Sequence, residues 1–357
     1  MATGEAELRV AAERTLSQPE LNRALLARQL LLERGRGSLP RTVERIGGIQ
    51  AQYAPSMYVG LWTRLEGFER DQLTRALERN SLVQGTLLRS TIHLVTPGDW
   101  WTFAAAVRAE RRERWLKSHG GKQVGRELAV AARRVAARLA DGPLPRKELQ
   151  DLVGKGAAGI SGINVWLDLI RVPPSGTWER RRADLFGAAD QAIGPDPQLD
   201  RAAATVELAR AYLRGFGPAS ASQIAQWAGL GTEAVNAALE ALELRRFVAE
   251  DGAELVDLPR LALPDPETPA PVRFLPIWDA TLLVHARRTQ ILPEEHRPKV
   301  FNTRTPQSMP TFLVDGQVAG SWSYEKGRVV TKPFSRLAPA ARRDVAEEAE
   351  RLAAFHG

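Results

Sequence analysis

Two amides, Gln50 and Gln52, stand one residue apart and are followed by Tyr53-Ala54-Pro55. Apolar spacing ahead of them puts the pair at the end of a helix, where positions i and i+2 do not share a face. They are therefore not one solvated stripe. Ile49 and Tyr53 flank them with apolar surface, and a polar pair buried there needs partners. An amide does not titrate in the useful range, so neither is a general base of ordinary strength. Taken alone, the residues also fit two helix-end amides bonded to nearby backbone.

Arg89, Thr91 and His93 alternate along an expected strand and share one of its faces. Such a face suits a nucleic-acid backbone, with Arg89 on a phosphate, and equally suits an ordinary exposed strand. The stretch HRPKVFNTRTPQSM carries Arg297, Lys299 and Arg304, a basic loop open to solvent or to phosphate. RRERW from Arg111 reads as a solvated helix face. The histidines His93, His119, His285, His296 and His356 lack metal-ligand spacing, and no Gly-rich phosphate loop occurs, so no metal and no cofactor is expected.

The elements that must hold these residues form a repeat. GSLPRTVERIGGIQ from Gly37, GPLPRKELQDLVGK from Gly142 and GPASASQIAQWAGL from Gly217 each follow an apolar-periodic helix. In each, a turn with Gly and Pro or Ser supplies a cap for a second short helix. A third helix and two strands follow; in the third copy Asp251-Gly252 is the hairpin turn, and in the second Pro173, Pro174 and Gly176 mark it. Helix, helix, helix, strand, strand is the winged-helix order, and three copies make the repeat a signal. Beyond the proline-rich DPETPAP from Asp265, the runs VRFLPIW, ATLLVHA, PTFLVDG and QVAGSWSYEKGRVV predict a small barrel or sheet, and APAARRDVAEEAERLAAFHG a closing amphipathic helix. The expected fold is α+β: winged-helix units at 15–125, 126–198 and 199–262, then a C-terminal β-barrel at 263–357.

Composition bounds the partners. The 357 residues carry 49 Lys+Arg against 42 Asp+Glu, a net charge of +7 dominated by arginine, which suits phosphates. Cysteine is absent, excluding disulfides, thiolate zinc sites and thiol catalysis and fitting a reducing compartment. MATGEAELRV has no signal-peptide character, and no uncharged stretch approaches the roughly 20 residues of a membrane span. A cytoplasmic protein without a membrane partner is expected.

VERIGGIQAQYAPSMYVGLWTRL, then LLRSTIHLVTPGDW, FLPIWDATLLVHARR and TFLVDGQVAGSW resemble the AlkZ/YcaQ family of winged-helix DNA glycosylases from about Leu21 to the C-terminal helix. Gln50-Ala51-Gln52 matches the AlkZ-like Gln-x-Gln form. The resemblance implies tandem winged helices with a C-terminal barrel, double-stranded DNA as partner, and removal of alkylated purines, including interstrand cross-links, in some members as self-protection of antibiotic producers. It implies a catalytic role for Gln50 and Gln52. His285 and Arg288 match the family's His-Ala-x-Arg string, although Arg287 stands where many relatives carry an acid. The hairpin with Arg297, Lys299 and Arg304 resembles the family's DNA-touching one.

The chemistry suits amides. An N7-alkylated purine is already cationic and leaves as a neutral base, so no acid is required. A water must be held at the anomeric carbon, and carbonyl dipoles can stabilise the oxocarbenium-like state. No lysine beside the pair suggests a Schiff-base step, which points to a monofunctional enzyme. A bulky cross-link predicts a shallow cleft between the first winged helix and the barrel. The other reading is a winged-helix transcription regulator; tandem units without a dimerisation helix favour instead a monomer on one duplex.

Overall fold

Trp100, Phe103, Ala104 and Val107 recur at i, i+3, i+4 and i+7, and all four are buried along one face of the helix Pro97–Ser118. In the computed structural model, which describes residues 12–154, 159–182, 184–283, 286, 288–301 and 308–357, this helix packs along Arg201–Phe216. Their common core takes in Leu25, Trp227 and Leu313, from widely separated parts of the chain.

The helix–helix–helix–strand–strand order is present at all three expected places. The second runs Gly121–Leu139, Arg146–Val153, Gly159–Trp166, Leu169–Arg171, Leu185–Ala188, and the third Arg201–Phe216, Ala221–Ala228, Thr232–Glu240, Arg245–Ala249, Glu254–Asp257. Ser220 and Gln223 form a reciprocal capping box that starts Ala221–Ala228. The first has Gln18–Arg28, Leu39–Arg45, Arg70–Glu78, Val83–Thr86 and Ile92–Val95, and differs by an insertion: the two-residue strand Ile49–Gln50 and the helix Ala54–Trp62. Gln50 belongs to this insertion.

The hairpins of the first two repeats fuse into one six-stranded sheet, ordered Ile49–Gln50, Ile92–Val95, Val83–Thr86, Leu169–Arg171, Leu185–Ala188, Leu144–Pro145. The seam is Gly85, paired with His93 on one side and Ile170 on the other. A Cβ at Gly85 would lie 2.5 Å from the Leu169 carbonyl and 2.5 Å from the Trp100 ring. Gly85→Ala should therefore destabilise the protein by about 1–3 kcal/mol, read as a lowered unfolding midpoint. Gly98→Ala, where nothing lies within 4 Å, should change stability by no more than about 0.5 kcal/mol.

The third hairpin is extended by Thr15–Leu16, which pairs in parallel with Val248 and Ala249. The buried bidentate pair Arg28–Asp257, at 2.7 and 2.6 Å, locks the first helix onto it. The C-terminal part is an antiparallel sheet, Arg273–Leu275, Thr311–Val314, Gln317–Glu325, Arg328–Pro333, followed by the helix Pro339–His356.

The protein is thus α+β, but among the described residues the C-terminal sheet is not a closed barrel. Its outer strands, Arg273–Leu275 and Arg328–Pro333, do not pair with each other. The closing helix packs against both and buries Val345, Ala349 and Leu352. With a helix covering the sheet, the apolar face needs no further strands to shield it.

Candidate active site

The helix Leu39–Arg45 ends before the two glutamines. Gly47 and Gly48 follow it with φ of 79° and 80°, a left-handed pair that reverses the chain. A Cβ on Gly48 would meet Val95 Cγ1 at 2.9 Å. The expectation of two amides on one helix is thereby corrected: Ile49–Gln50 is a strand, with Gln50 opposite His93 and the Ala51 N–H donating to the Ile92 carbonyl at 2.7 Å.

Both amide oxygens have protein donors. Arg89 Nη2 donates to Gln50 Oε1 at 2.9 Å, and the Ile92 N–H donates to Gln52 Oε1 at 2.7 Å. A guanidinium and a backbone N–H only donate, so the oxygens, not the NH2 groups, face these partners. Each oxygen keeps one lone pair, and among the described residues neither Nε2 is bonded. Gln50 is 4% exposed; Gln52 is half-buried.

Arg89, Thr91 and His93 do not share a strand face, which corrects the second expectation. Arg89 and Ser90 adopt left-handed φ of 52° and 59° and break the alternation; only His93 lies within the strand Ile92–Val95. Arg89 reaches inward, donating to the Trp227 carbonyl as well as to Gln50. Trp227 stands in the last turn of Ala221–Ala228, where carbonyls lack helical partners and the helix dipole is negative. Burial lowers the Arg89 pKa to about 10, which leaves it cationic at neutral pH. Thr91 Oγ1 donates to the Leu88 carbonyl at 2.9 Å and ties this turn together.

His93 is buried, with Nδ1 3.1 Å from the Thr91 carbonyl, so the proton sits on Nδ1. Burial, and then the Arg89 charge, push its pKa down to about 3. The ring is neutral at physiological pH and a very weak base.

Beside Gln50 opens a crevice of about 10 Å³, lined also by Ser56, Arg64, Trp278 and Asp279. Ser56 is 3% exposed, and its hydroxyl has no hydrogen-bond partner among the described residues. The crevice has the volume of one water, and its lining has the polar groups a buried water requires. Its lining includes Arg64, which forms a bidentate pair with Asp279 at 2.9 and 2.9 Å and donates from Nη2 to Gln29 Oε1 at 3.3 Å. Sequence reasoning passed over Ser56, Arg64 and Asp279, since they come from the inserted helix, its end and a distant loop.

The other candidates scatter. Arg288 is buried, its guanidinium donating to the Ala280 and Thr281 carbonyls and to the Tyr212 hydroxyl. Arg297 is ion-paired with Glu294 at 3.1 Å, and Lys299 is exposed over the Phe334 ring. His285 and Arg304 lie outside the described residues. Nearer the glutamines are two arginines of the second repeat not singled out in the sequence: Arg171, 3.4 Å from the Ala51 carbonyl, and Arg181, 3.2 Å from the Tyr53 hydroxyl.

The model of the AlkZ-like DNA glycosylase family matches residues 43–355, nearly the whole chain. The chain belongs to the AlkZ-like DNA glycosylases. It is 24% identical to an interstrand DNA cross-link repair glycosylase of Streptomyces sahachiroi, over 93% of this chain and 94% of that one. The solved structure of the Streptomyces sahachiroi DNA glycosylase AlkZ has the same fold, with a TM-score of 0.80, 21% identity and 96% of each chain covered. These similarities give the regulator reading no support. Family membership makes the chain an enzyme that cleaves N-glycosidic bonds in DNA, and among the described residues no helix is long and apolar enough to cross a membrane.

Proposed function

We propose that this glycosylase hydrolyses the bond between deoxyribose and a purine made cationic by alkylation at N7 or N3, with a water held by Gln50 and Gln52. The observation that carries the reading is the one-water crevice at Gln50, with the unpartnered Ser56 hydroxyl as a further ligand. Gln50, which lines the crevice, accepts from the water through its free lone pair; Gln52, two residues on and outside that lining, is assigned to turn the negative end of its dipole toward the developing oxocarbenium charge. The departing base is already cationic, so no acid is needed. Among the described residues no lysine lines the crevice, which favours a monofunctional reaction that leaves an abasic site.

The helix–helix–helix–hairpin units act as winged helices, arranged in one monomer so that a single molecule engages a single duplex. Exposed Arg181 and Lys299, with Arg297, meet its phosphates. Interstrand cross-links are substrates because the site opens toward a cleft rather than enclosing a base. Arg89, in this reading, holds Gln50 rather than a phosphate.

The test is a glycosylase assay on duplexes containing 7-methylguanine, uracil or hypoxanthine. Release of 7-methylguanine without release of either neutral base is expected. The rate should be flat from about pH 5.5 to 8.5. His93 charges only below about 3, Arg89 loses its proton only above about 10, and Asp279 is held below the usual carboxylate range, so no group at the crevice changes charge in between. An activity limb with an apparent pKa of 6–7 would instead demand a titrating general base.

A further inference from the structure

The strand Leu169–Arg171 ends on an arginine that no carboxylate covers. Arg171 is half-buried, yet among the described residues its guanidinium makes one bond, to the Ala51 carbonyl at 3.4 Å, near the limit for a hydrogen bond. Burial, then the charge of Arg146, lowers its pKa to about 10, so it stays cationic at neutral pH. The two arginines come from one end of the six-stranded sheet. Arg171, Phe186 and Leu144 pair in one row, and Arg146 opens the helix that follows the Leu144 strand. Asp184, whose carbonyl accepts from the Arg146 N–H at 2.7 Å, turns its carboxylate to Arg180, and Glu148 is paired with Arg138. Two neighbouring cations without an acid between them, one of them partly withdrawn from water, form a site that an anion completes.

We infer that Arg171, with Arg146 beside it, holds a backbone phosphate flanking the lesion and so sets that nucleotide's glycosidic bond against Gln50 and Gln52. This rests on the glycosylase reading above and adds to it the part of the substrate that fixes the reacting nucleotide in place. Position is the first argument: Ala51 stands between the two glutamines, so an anion on Arg171 lies within a residue of each. Charge is the second. The centre must admit a cationic purine and let oxocarbenium charge develop. A bare guanidinium beside it opposes both, and a phosphate laid over that guanidinium removes the opposition. Shape is the third. The planar fork has five N–H donors and matches two phosphate oxygens at once. None of the Arg171 nitrogens is sealed in without a partner, so its unbonded donors face open space. An exposed arginine can meet a phosphate anywhere along a duplex, whereas a half-buried one held against Ala51 meets it at one place.

The test pairs a changed residue with a neutralised phosphate. Duplexes carry one 7-methylguanine, with the phosphodiester on its 5′ or its 3′ side replaced by the uncharged methylphosphonate. Wild type should lose roughly tenfold to a hundredfold in single-turnover rate at one of the two positions, the range of a charge-assisted hydrogen bond. Arg171→Met should lose as much on the natural duplex and nothing further on that methylphosphonate. Arg171→Lys, which keeps the charge without the fork, should fall between. Affinity for undamaged duplex should change by less than about threefold, because one phosphate among many is lost. A variant that is slowed on the natural duplex yet as sensitive to the methylphosphonate as wild type overturns the proposal, since Arg171 then only shapes the motif. Wild type indifferent to both replacements overturns it as well. Should Arg171→Met not fold, Arg171→Gln carries the same comparison. If wild type releases no base, the glycosylase reading fails, and affinity for the lesion on a 2′-fluoro, hydrolysis-resistant sugar is compared instead. Sensitivity to one methylphosphonate that Arg171→Met abolishes then upholds the phosphate site, and equal sensitivity or none sinks it.

Discussion

The Gln50→Ala, Gln52→Ala double variant should release 7-methylguanine about 10²- to 10³-fold more slowly than wild type, the usual cost of removing a preorganised dipole from a reaction centre. Its affinity for undamaged duplex should change by less than about twofold, because neither side chain is on the exposed basic surface. Base release is followed under single turnover and affinity by fluorescence anisotropy. Alanine at position 50 also strips a partner from Arg89 Nη2, 2.9 Å away, and a buried donor left unsatisfied costs about 1–3 kcal/mol. Glutamate separates the two effects. Gln50→Glu keeps an oxygen acceptor for Arg89 and Gln52→Glu keeps one for the Ile92 N–H, while both lose the NH2 donors. If the oxygens do the work, the glutamate variants retain activity within about tenfold of wild type. If they fail as completely as alanine, the unbonded Nε2 groups are the operative ones and the water is held by donation.

Much of this was legible in local chemistry. The helical face of Trp100, Phe103, Ala104 and Val107 and the repeated order of elements follow from apolar periodicity, which burial enforces. The turns at Asp315-Gly316 and Lys326-Gly327 have both residues at positive φ, of 44° and 77° and of 49° and 80°, and the first is a Asp-Gly hairpin signal readable by eye. The residues of the Gln-x-Gln motif could be picked out by type, but their setting could not. Val43, Ile46 and Ile49 keep a threefold spacing that imitates a continuing helix, and Gly47-Gly48, which ends it, was the overlooked sign. Arg89 was misplaced for a different reason. Its partners, Gln50 and Trp227, lie 39 and 138 positions away in sequence, and no local pattern encodes a contact of that span. Barrel closure fails in the same way: the strands are local features, whereas the choice between covering the sheet with more strands or with Pro339–His356 is decided by packing.

Asp279→Ala should destabilise the protein by about 3–5 kcal/mol, the cost of leaving one member of a buried ion pair without its partner. Arg64 and Asp279 are each 3% exposed, joined by two bonds of 2.9 Å. Asp279 also accepts from the N–H and hydroxyl of Thr281, and Arg64 donates to the Gly60 carbonyl. Removing the carboxylate strands a desolvated guanidinium directly beneath the Gln50 crevice, so activity should fall even in the fraction that remains folded. An Arg64→Leu, Asp279→Leu double variant removes both charges and should be far less destabilised than either single alanine; denaturant unfolding of the three variants reads the difference. Acid supplies an independent check. Burial opposes ionisation of Asp279, but the Arg64 charge and bonds outweigh it and hold the pKa below the usual carboxylate range. A group with a depressed folded pKa stabilises fully above its unfolded value, about 3.9, and loses that contribution as pH falls through the folded one. The stability gap between wild type and the double leucine variant should thus be constant from neutral pH down to about 5, then shift against wild type as the solution becomes more acidic. A gap that does not move in acid would mean that the pair's charge contributes nothing and that Arg64 and Asp279 serve the crevice by shape alone.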